Sequence, residues 1–215
     1  MTSFEHWVDC LFDRPGEYPP SFASVDDEYP VLQPETALEY VTRLFSGAGA
    51  ILARFDDAQL NQGLWELVGA SGDLHPILFS DLPWVDRKQG ILSISAIYES
   101  LFLPRCSPHL SHADDSGASP LNSICYMWWD IFPTWGQPGE AECAERDATL
   151  LEVMGRGLAL DSVACRESAL HGLGHWHMCY PAETTRVIEG FLEHEADLEP
   201  ELLAYARSAS AGCVQ

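Results

Sequence analysis

Residues 162–193 read SVACRESALHGLGHWHMCYPAETTRVIEGFLE, and this stretch decides the fold. Asp161 or Ser162 can cap a helix at its start, and Pro181 suits the first turn of a second helix, where a backbone N–H is not needed. Apolar residues recur three or four positions apart in both halves: Ala169, Leu170, Leu173 and Trp176, then Val187, Ile188 and Phe191. This spacing places them on one face of a helix. The stretch therefore predicts two consecutive helices.

The same helical spacing extends through the rest of the chain. Further helices are predicted at about residues 3–12, 34–55, 57–68, 86–103, 120–133, 140–160 and from Pro200 onward. Gly47 and Gly49 weaken the second of these helices, where a kink is expected. No convincing alternation of apolar and polar residues predicts a strand, and no Asn-Gly or Asp-Gly pair predicts a hairpin. We therefore expect one all-α domain over residues 1–215, with seven to nine helices.

Two segments are expected to lie outside the helices. Residues 13–34 contain five prolines, which lack the N–H that helices and sheets need, and this predicts an extended arm. Residues 104–119 are rich in Pro, Ser, Asp and Gly and predict a long loop. The polar residues of this loop are expected to be solvated: His109, His112, Asp114 and Asp115.

The charge of the chain disfavours several classes of function. It has 33 Asp and Glu against 11 Lys and Arg, which gives a formal net charge of −22. Nucleic-acid-binding proteins neutralise phosphates with basic side chains, and this chain has a single lysine, Lys88. The same charge disfavours anionic membranes, and no stretch approaches the roughly 20 apolar residues of a membrane-spanning helix. We therefore expect a basic protein partner rather than nucleic acid or a membrane.

The N-terminus and the cysteines indicate the compartment. The first residues, MTSFEHW, have no basic segment followed by an apolar run, so no signal peptide is predicted. The seven cysteines are odd in number and scattered, and they include no Cys-x-x-Cys pair. We therefore expect a cytoplasmic protein with reduced thiols.

Residues 165–174, CRESALHGLG, resemble the first helix of a HEAT-like repeat, in which a basic residue often precedes Ala-Leu-x-x-Leu-Gly. Residues 181–192 resemble the second helix, which often starts near a proline and closes on a Phe-Leu-like pair. The resemblance implies helical hairpins stacked as a short α–α superhelix, at least in the C-terminal half, because each pair of helices buries only one face. Proteins with HEAT-like repeats are mostly binding scaffolds, and the resemblance implies such a role here.

The densest polar cluster contains His171, His175, His177 and Cys179, with Cys165 nearby. His171 and His175 share a helix face and could bind one metal ion, and His177 and Cys179 could complete a tetrahedral zinc site. However, the zincin motif places a glutamate where Gly172 stands, and histidines in the last turn of a helix are also favoured by the helix dipole. We therefore expect no cofactor and no catalytic residue. Zinc at these four residues is the alternative.

Candidate partner-binding residues fall in two groups. Trp128, Trp129 and Trp135 belong to the aromatic segment 124–135, ICYMWWDIFPTW, and tryptophan is enriched at binding hot spots. Acidic residues follow near the C-terminus at Glu193, Glu195, Asp197 and Glu199, where they would attract a basic partner. The alternatives are burial of the aromatic residues in the core and a solvated acidic face.

These observations favour a non-enzymatic acidic helical protein that binds a basic protein partner. An immunity or antitoxin-like neutraliser is one form of this function. Two alternatives stay open. One is a metal-dependent, zinc enzyme that uses His171, His175 and His177, and the other is a structural subunit of a larger assembly.

Overall fold

A computed structural model describes residues 2–15, 29–69, 71–113, 117–195 and 198–214. Most of the expected arm at 13–34 therefore lies outside the described residues, as do Asp114, Asp115 and Asp197. Within the described ranges, no helix is both long enough and apolar enough to cross a membrane. The seven cysteines all lie in the described ranges, and none of them forms a disulfide.

Every regular element in the described ranges is helical, which confirms the prediction of an all-α chain. The helices are α1 (Phe4–Phe12), α2 (Pro34–Ser46), α3 (Ala48–Ile51), α4 (Asp57–Gly69), α5 (His75–Phe79), α6 (Trp84–Ile97), α7 (Leu103–Arg105), α8 (Pro120–Ile131), α9 (Ala144–Leu158), α10 (Val163–Trp176), α11 (Pro181–His194) and α12 (Pro200–Ser210). A π-helical turn, Tyr98–Phe102, joins α6 to α7, and short 3-10 turns cover Ser111–Ala113 and Ala141–Cys143.

Prolines and capping residues set most of the helix starts. Pro34, Pro120, Pro181 and Pro200 each occupy the first position of a helix. The Ser162 hydroxyl accepts a backbone N–H at the start of α10. Each of these groups satisfies or avoids one of the backbone donors that a helix leaves unpaired at its N-terminus. The sequence therefore located these starts closely.

Two predicted segments differ in detail. The helix expected at 34–55 is interrupted at Gly47, between α2 and α3, and the turn-rich segment before α6 contains α5. The expected loop at 104–119 begins within α7 and includes the 3-10 turn Ser111–Ala113. Short helices of this kind carry too few residues for apolar periodicity to reveal them.

Helix α10 lies at the centre of the C-terminal half, in contact with α8, α9, α11 and α12. Eleven of its 14 residues are buried, including the polar residues Glu167, Ser168 and His171. Small residues allow the neighbouring helices to approach closely. A Cβ atom added at Gly172 would lie 2.6 Å from the ring of Trp129 on α8. Because α10 is enclosed, its polar side chains must find partners inside the protein.

The N-terminal half is connected to this centre through α4 and α6. Helix α2 packs on α6 and α1 packs on α4, while α4 contacts α8 and α6 contacts α9. The buried apolar side chains of both halves form one continuous cluster. The two halves therefore share a hydrophobic core.

Close packing at Gly172 predicts a measurable cost for an added methyl group. Gly172→Ala should lower the free energy of unfolding by about 1–3 kcal/mol, because the new Cβ overlaps the Trp129 ring. Gly190→Ala on α11 is the matched control, since its Cβ meets nothing within 4 Å. The control should raise stability by up to about 1 kcal/mol, because alanine favours helix more than glycine does. Urea unfolding followed by circular dichroism measures both changes, and equal effects would contradict the packing.

Candidate metal centre

One face of α10 carries three polar residues at intervals of four positions: Glu167, His171 and His175. Side chains at this spacing lie above one another on a helix. The row runs from the interior to the surface, since the side chain of Glu167 is 0 % exposed and that of His175 is 26 % exposed. The fold therefore presents a line of acid–base groups with one end open to solvent.

His171, His175 and Asp130 bring three possible metal-ligand atoms together. His171 Nε2 lies 3.1 Å from His175 Nε2, and His175 Nε2 lies 3.5 Å from Asp130 Oδ1. The donor atoms of the three residues all lie within 4.8 Å of one another. Asp130 reaches this position from the last turn of α8, which packs against α10.

His171 is held in its neutral form. Burial lowers the pKa of His171 to about 3, with smaller contributions from the neighbouring His175 and His112. A neutral imidazole has a free nitrogen lone pair, which is the form that binds a metal ion. At neutral pH, no proton has to be removed from a charged His171 before a metal ion binds.

Two tyrosines lie on the inner side of His171. The Tyr205 hydroxyl of α12 is 2.7 Å from His171 Nδ1, the ring nitrogen that faces away from His175. The Tyr126 hydroxyl of α8 is 3.3 Å from the Tyr205 hydroxyl, and the Tyr126 ring contacts His171 with centroids 4.3 Å apart. Burial is the largest cause that raises the pKa of both tyrosines, so their hydroxyls keep their protons.

The inner end of the row is closed by Glu167 and His112. Glu167 accepts hydrogen bonds from His112 Nδ1 at 2.6 Å and from the backbone N–H groups of Ser111 and His112 at 2.8 and 3.0 Å. The His112 ring stacks on Tyr205 with centroids 4.3 Å apart. His112 is exposed, as expected for this loop, and its ring and backbone N–H also supply donors to the buried Glu167 carboxylate.

Two of the three donor–donor separations are close to the spacing that a zinc ion requires. Zinc binds imidazole nitrogen at about 2.0–2.1 Å, so two ligand atoms on one tetrahedral ion lie about 3.3 Å apart. The 3.1 Å and 3.5 Å separations lie on either side of that value. Three protein ligands also leave one tetrahedral position for water or another molecule, as in catalytic zinc sites.

The structure brings together two of the four metal candidates suggested by the sequence. His171 and His175 meet, whereas His177 Nδ1 lies 3.3 Å from the Thr184 hydroxyl and Cys179 is not part of the cluster among the described residues. The turn after α10 directs these two residues elsewhere, and Asp130 supplies the third donor. Sequence reasoning missed Asp130 as a ligand. Its signal was its position as the single charged residue of the apolar helix α8.

The partner-binding candidates are divided by burial. Trp128 and Trp129 are 0 % and 1 % exposed and belong to the core. The prediction that they lie at a partner interface is therefore wrong. Trp135 is 47 % exposed, and its ring contacts His175 edge-on at the rim of the cluster. Glu193 and Glu199 are exposed, while Glu195 is partly buried and pairs with Arg166.

The low pKa of His171 predicts how stability depends on pH. Between pH 6.5 and about 3, the unfolded chain protonates this histidine and the folded chain does not. Acid therefore favours the unfolded state, and His171 lowers the free energy of unfolding by up to about 1.4 kcal/mol for each pH unit in this range. His171→Gln should have a shallower slope in urea unfolding of chelator-treated protein between about pH 7 and 4.

His194→Gln is the control for this experiment, because it removes an exposed histidine at the end of α11. It should keep the slope of the unmodified protein. Equal slopes for the unmodified protein and His171→Gln would contradict the burial of a neutral imidazole.

Comparison of the chain with protein-family models, with curated protein sequences and with solved structures finds no match. The cluster of Asp130, His171 and His175 is therefore the main indication of function.

Proposed function

We propose that the chain binds a divalent transition-metal ion, zinc in the first place, through His171 Nε2, His175 Nε2 and a carboxylate oxygen of Asp130. The observation that carries the proposal is the convergence of these three donor atoms within 4.8 Å. Two imidazoles and one carboxylate form a ligand set that zinc uses in catalytic sites, and other transition metals accept it as well.

The electrostatics of the chain support uptake of a cation. His171 is neutral because burial lowers its pKa, and the Asp130 carboxylate can offset part of the charge of the ion. The formal net charge of −22 also raises the local concentration of cations around the protein. These terms favour a metal ion in the position where one hydrogen bond now joins the two histidines.

The exposed side of the cluster supports a catalytic site over a closed structural one. The side chains of His175 and Asp130 are 26 % and 33 % exposed, so two of the three side chains lie partly open to solvent. A metal ion with an open position lowers the pKa of bound water and polarises carbonyl or phosphoryl oxygens. We therefore propose a metal-dependent enzyme that activates water, and the acidic chain favours neutral or cationic substrates over polyphosphates.

This proposal places the metal-dependent enzyme, an alternative in the sequence analysis, ahead of the non-enzymatic function. Asp130 is the reason for this change. The further ligands that the sequence suggested, His177 and Cys179, do not join His171 and His175 in the structure, whereas Asp130 does. The cytoplasmic location of the protein stays a prediction.

Binding of a basic protein partner is the second candidate function. Within the described ranges, ion pairs between arginines and carboxylates of the same chain involve less than half of the acidic residues. The arginines in these pairs are Arg14, Arg43, Arg54, Arg105, Arg146, Arg156 and Arg166. Exposed Trp135 is the aromatic residue that suits a partner or a neighbouring subunit of a larger assembly. The contact of α10 with α11 supports the helical hairpin on which the HEAT-like resemblance rests.

Metal titration tests the first candidate. Chelator-treated protein should bind one equivalent of zinc or cobalt(II) per chain, measured by calorimetry and by the visible absorption of cobalt. His175→Ala should abolish this binding, because it removes one of three ligands while its partly exposed position limits the damage to the core. Asp130→Asn should weaken binding, because it removes the only anionic ligand.

His194→Ala is the matched control for the metal titration, since it removes an exposed histidine outside the cluster. It should bind as the unmodified protein does. Less than about 0.2 equivalents of bound metal in the unmodified protein, or full binding by His175→Ala, would exclude the proposed centre.

Salt dependence tests the second candidate. A complex with a basic partner should form more slowly as sodium chloride is raised, because salt screens the attraction between opposite charges. Replacing Glu193 and Glu199 together by Gln should slow association more than replacing Glu142 and Glu145, which are also exposed and carry the same charge. A complex that forms at the same rate at every salt concentration would exclude electrostatic recognition.

A further inference from the structure

We propose that Tyr205 is a positioning residue of the metal centre: its hydroxyl accepts the Nδ1–H of His171 and so directs the unprotonated Nε2 of that histidine toward the metal ion. The inference rests on the proposed function and adds a residue from α12 that does not touch the ion. It also explains why a buried tyrosine hydroxyl lies 2.7 Å from the inner nitrogen of His171.

A neutral histidine has one ring N–H, so a ligand that offers Nε2 to a metal carries its proton on Nδ1. His171 is buried, and that N–H needs an acceptor inside the protein. The Tyr205 oxygen is within hydrogen-bond distance of Nδ1, and the Tyr205 hydroxyl can donate its own proton to Tyr126 at 3.3 Å.

Tyr205 suits this role because its hydroxyl can both donate and accept. In the metal-free protein it can donate to Nδ1 while His171 Nε2 donates to His175 Nε2. When Nε2 becomes a ligand, the proton moves to Nδ1 and Tyr205 becomes the acceptor. The same two side chains therefore satisfy both tautomers of His171 without a change of partner.

The surroundings of Tyr205 hold its hydroxyl in place. The residue is 7 % exposed, and the His112 ring stacks on it with an interplanar angle of 17°. His112 is bound in turn to Glu167, which lies one helical turn before His171 on α10. The contacts from His171 to Tyr205, from Tyr205 to His112 and from His112 to Glu167 therefore begin and end on α10. They tie the position of Tyr205 to that of the ligand it orients.

Loss of this hydroxyl should weaken metal binding more than it weakens folding. A metal ion draws electron density from the imidazole, so the Nδ1–H becomes a stronger hydrogen-bond donor in the metal-bound protein. Loss of its acceptor therefore costs more free energy in the metal-bound protein than in the metal-free protein. Partners of metal-ligating histidines typically change metal affinity by about 10- to 100-fold when they are replaced. We expect Tyr205→Phe to reduce the affinity for zinc and cobalt(II) by a factor in this range.

Tyr98→Phe is the matched control. Tyr98 is 3 % exposed, and its hydroxyl lies 2.7 Å from the Ser168 hydroxyl of α10. Like Tyr205→Phe, the Tyr98→Phe variant therefore loses one buried hydrogen bond between a tyrosine and a side chain of α10, and the two bonds have the same length. We expect both variants to lose similar stability in urea. Tyr98→Phe should keep the metal affinity of the unmodified protein, and Tyr205→Phe should lose it as stated.

Nitrogen-15 NMR of the zinc-loaded unmodified protein gives a second readout that needs no variant. We expect His171 to show Nε2 as the metal-bound nitrogen and a slowly exchanging proton on Nδ1. In Tyr205→Phe this proton should exchange faster with solvent. Ligation of the metal through Nδ1 of His171, or a rapidly exchanging Nδ1 proton in the unmodified protein, would overturn the inference even if Tyr205→Phe does not fold.

The outcomes separate this inference from the function on which it rests. An unmodified protein that binds neither zinc nor cobalt(II) overturns the proposed function, and the inference with it. An unmodified protein that binds metal, together with a folded Tyr205→Phe of equal affinity, overturns the inference alone. A 10- to 100-fold loss in Tyr205→Phe and none in Tyr98→Phe supports it.

Discussion

Enclosure of α10 is the constraint on which the rest of the structure depends. A helix that is covered over most of its surface cannot leave its buried polar groups to solvent, and each unsatisfied one costs about 1–3 kcal/mol. Glu167, Ser168 and His171 are therefore paired with other elements: Glu167 with the 3-10 turn Ser111–Ala113, Ser168 with Tyr98 and the backbone of Cys125, and His171 with Tyr205. These hydrogen bonds fix the positions of α8, α12 and the loop before α8 relative to the central helix.

The same constraint accounts for the candidate site. Residues four apart on α10 form one row, and burial decreases along it from Glu167 through His171 to His175. At the inner end, Glu167 accepts three hydrogen bonds and the His112 ring stacks on Tyr205. The outer end meets Asp130 and solvent, and the three donor atoms converge there. A rigid, buried ligand beside a more exposed pair is the arrangement that orients a metal ion and still admits another molecule.

The sequence predicted the helices better than it predicted the site. The prolines at positions 34, 120, 181 and 200 and the cap at Ser162 each affect only the first turn of their own helix. The local sequence is therefore enough to predict where these helices begin. The spacing of His171 and His175 is likewise local. Asp130 and Tyr205 reach His175 and His171 only through the packing of α8 and α12 on α10, and no local pattern encodes that packing. Trp128 and Trp129 were ambiguous for the same reason, since an aromatic helix suits a core or an interface equally well.

X-ray absorption spectroscopy of the zinc-loaded protein tests the central claim most directly, because it reads the ligand atoms without reference to activity. The Asp130, His171 and His175 cluster predicts a first shell of nitrogen and oxygen at about 2.0–2.1 Å, with the outer-shell scattering of two imidazole rings. A sulfur shell at about 2.3 Å would show that zinc recruits a cysteine, such as Cys179, as the sequence pattern alone suggested. That result would contradict the account given by the fold.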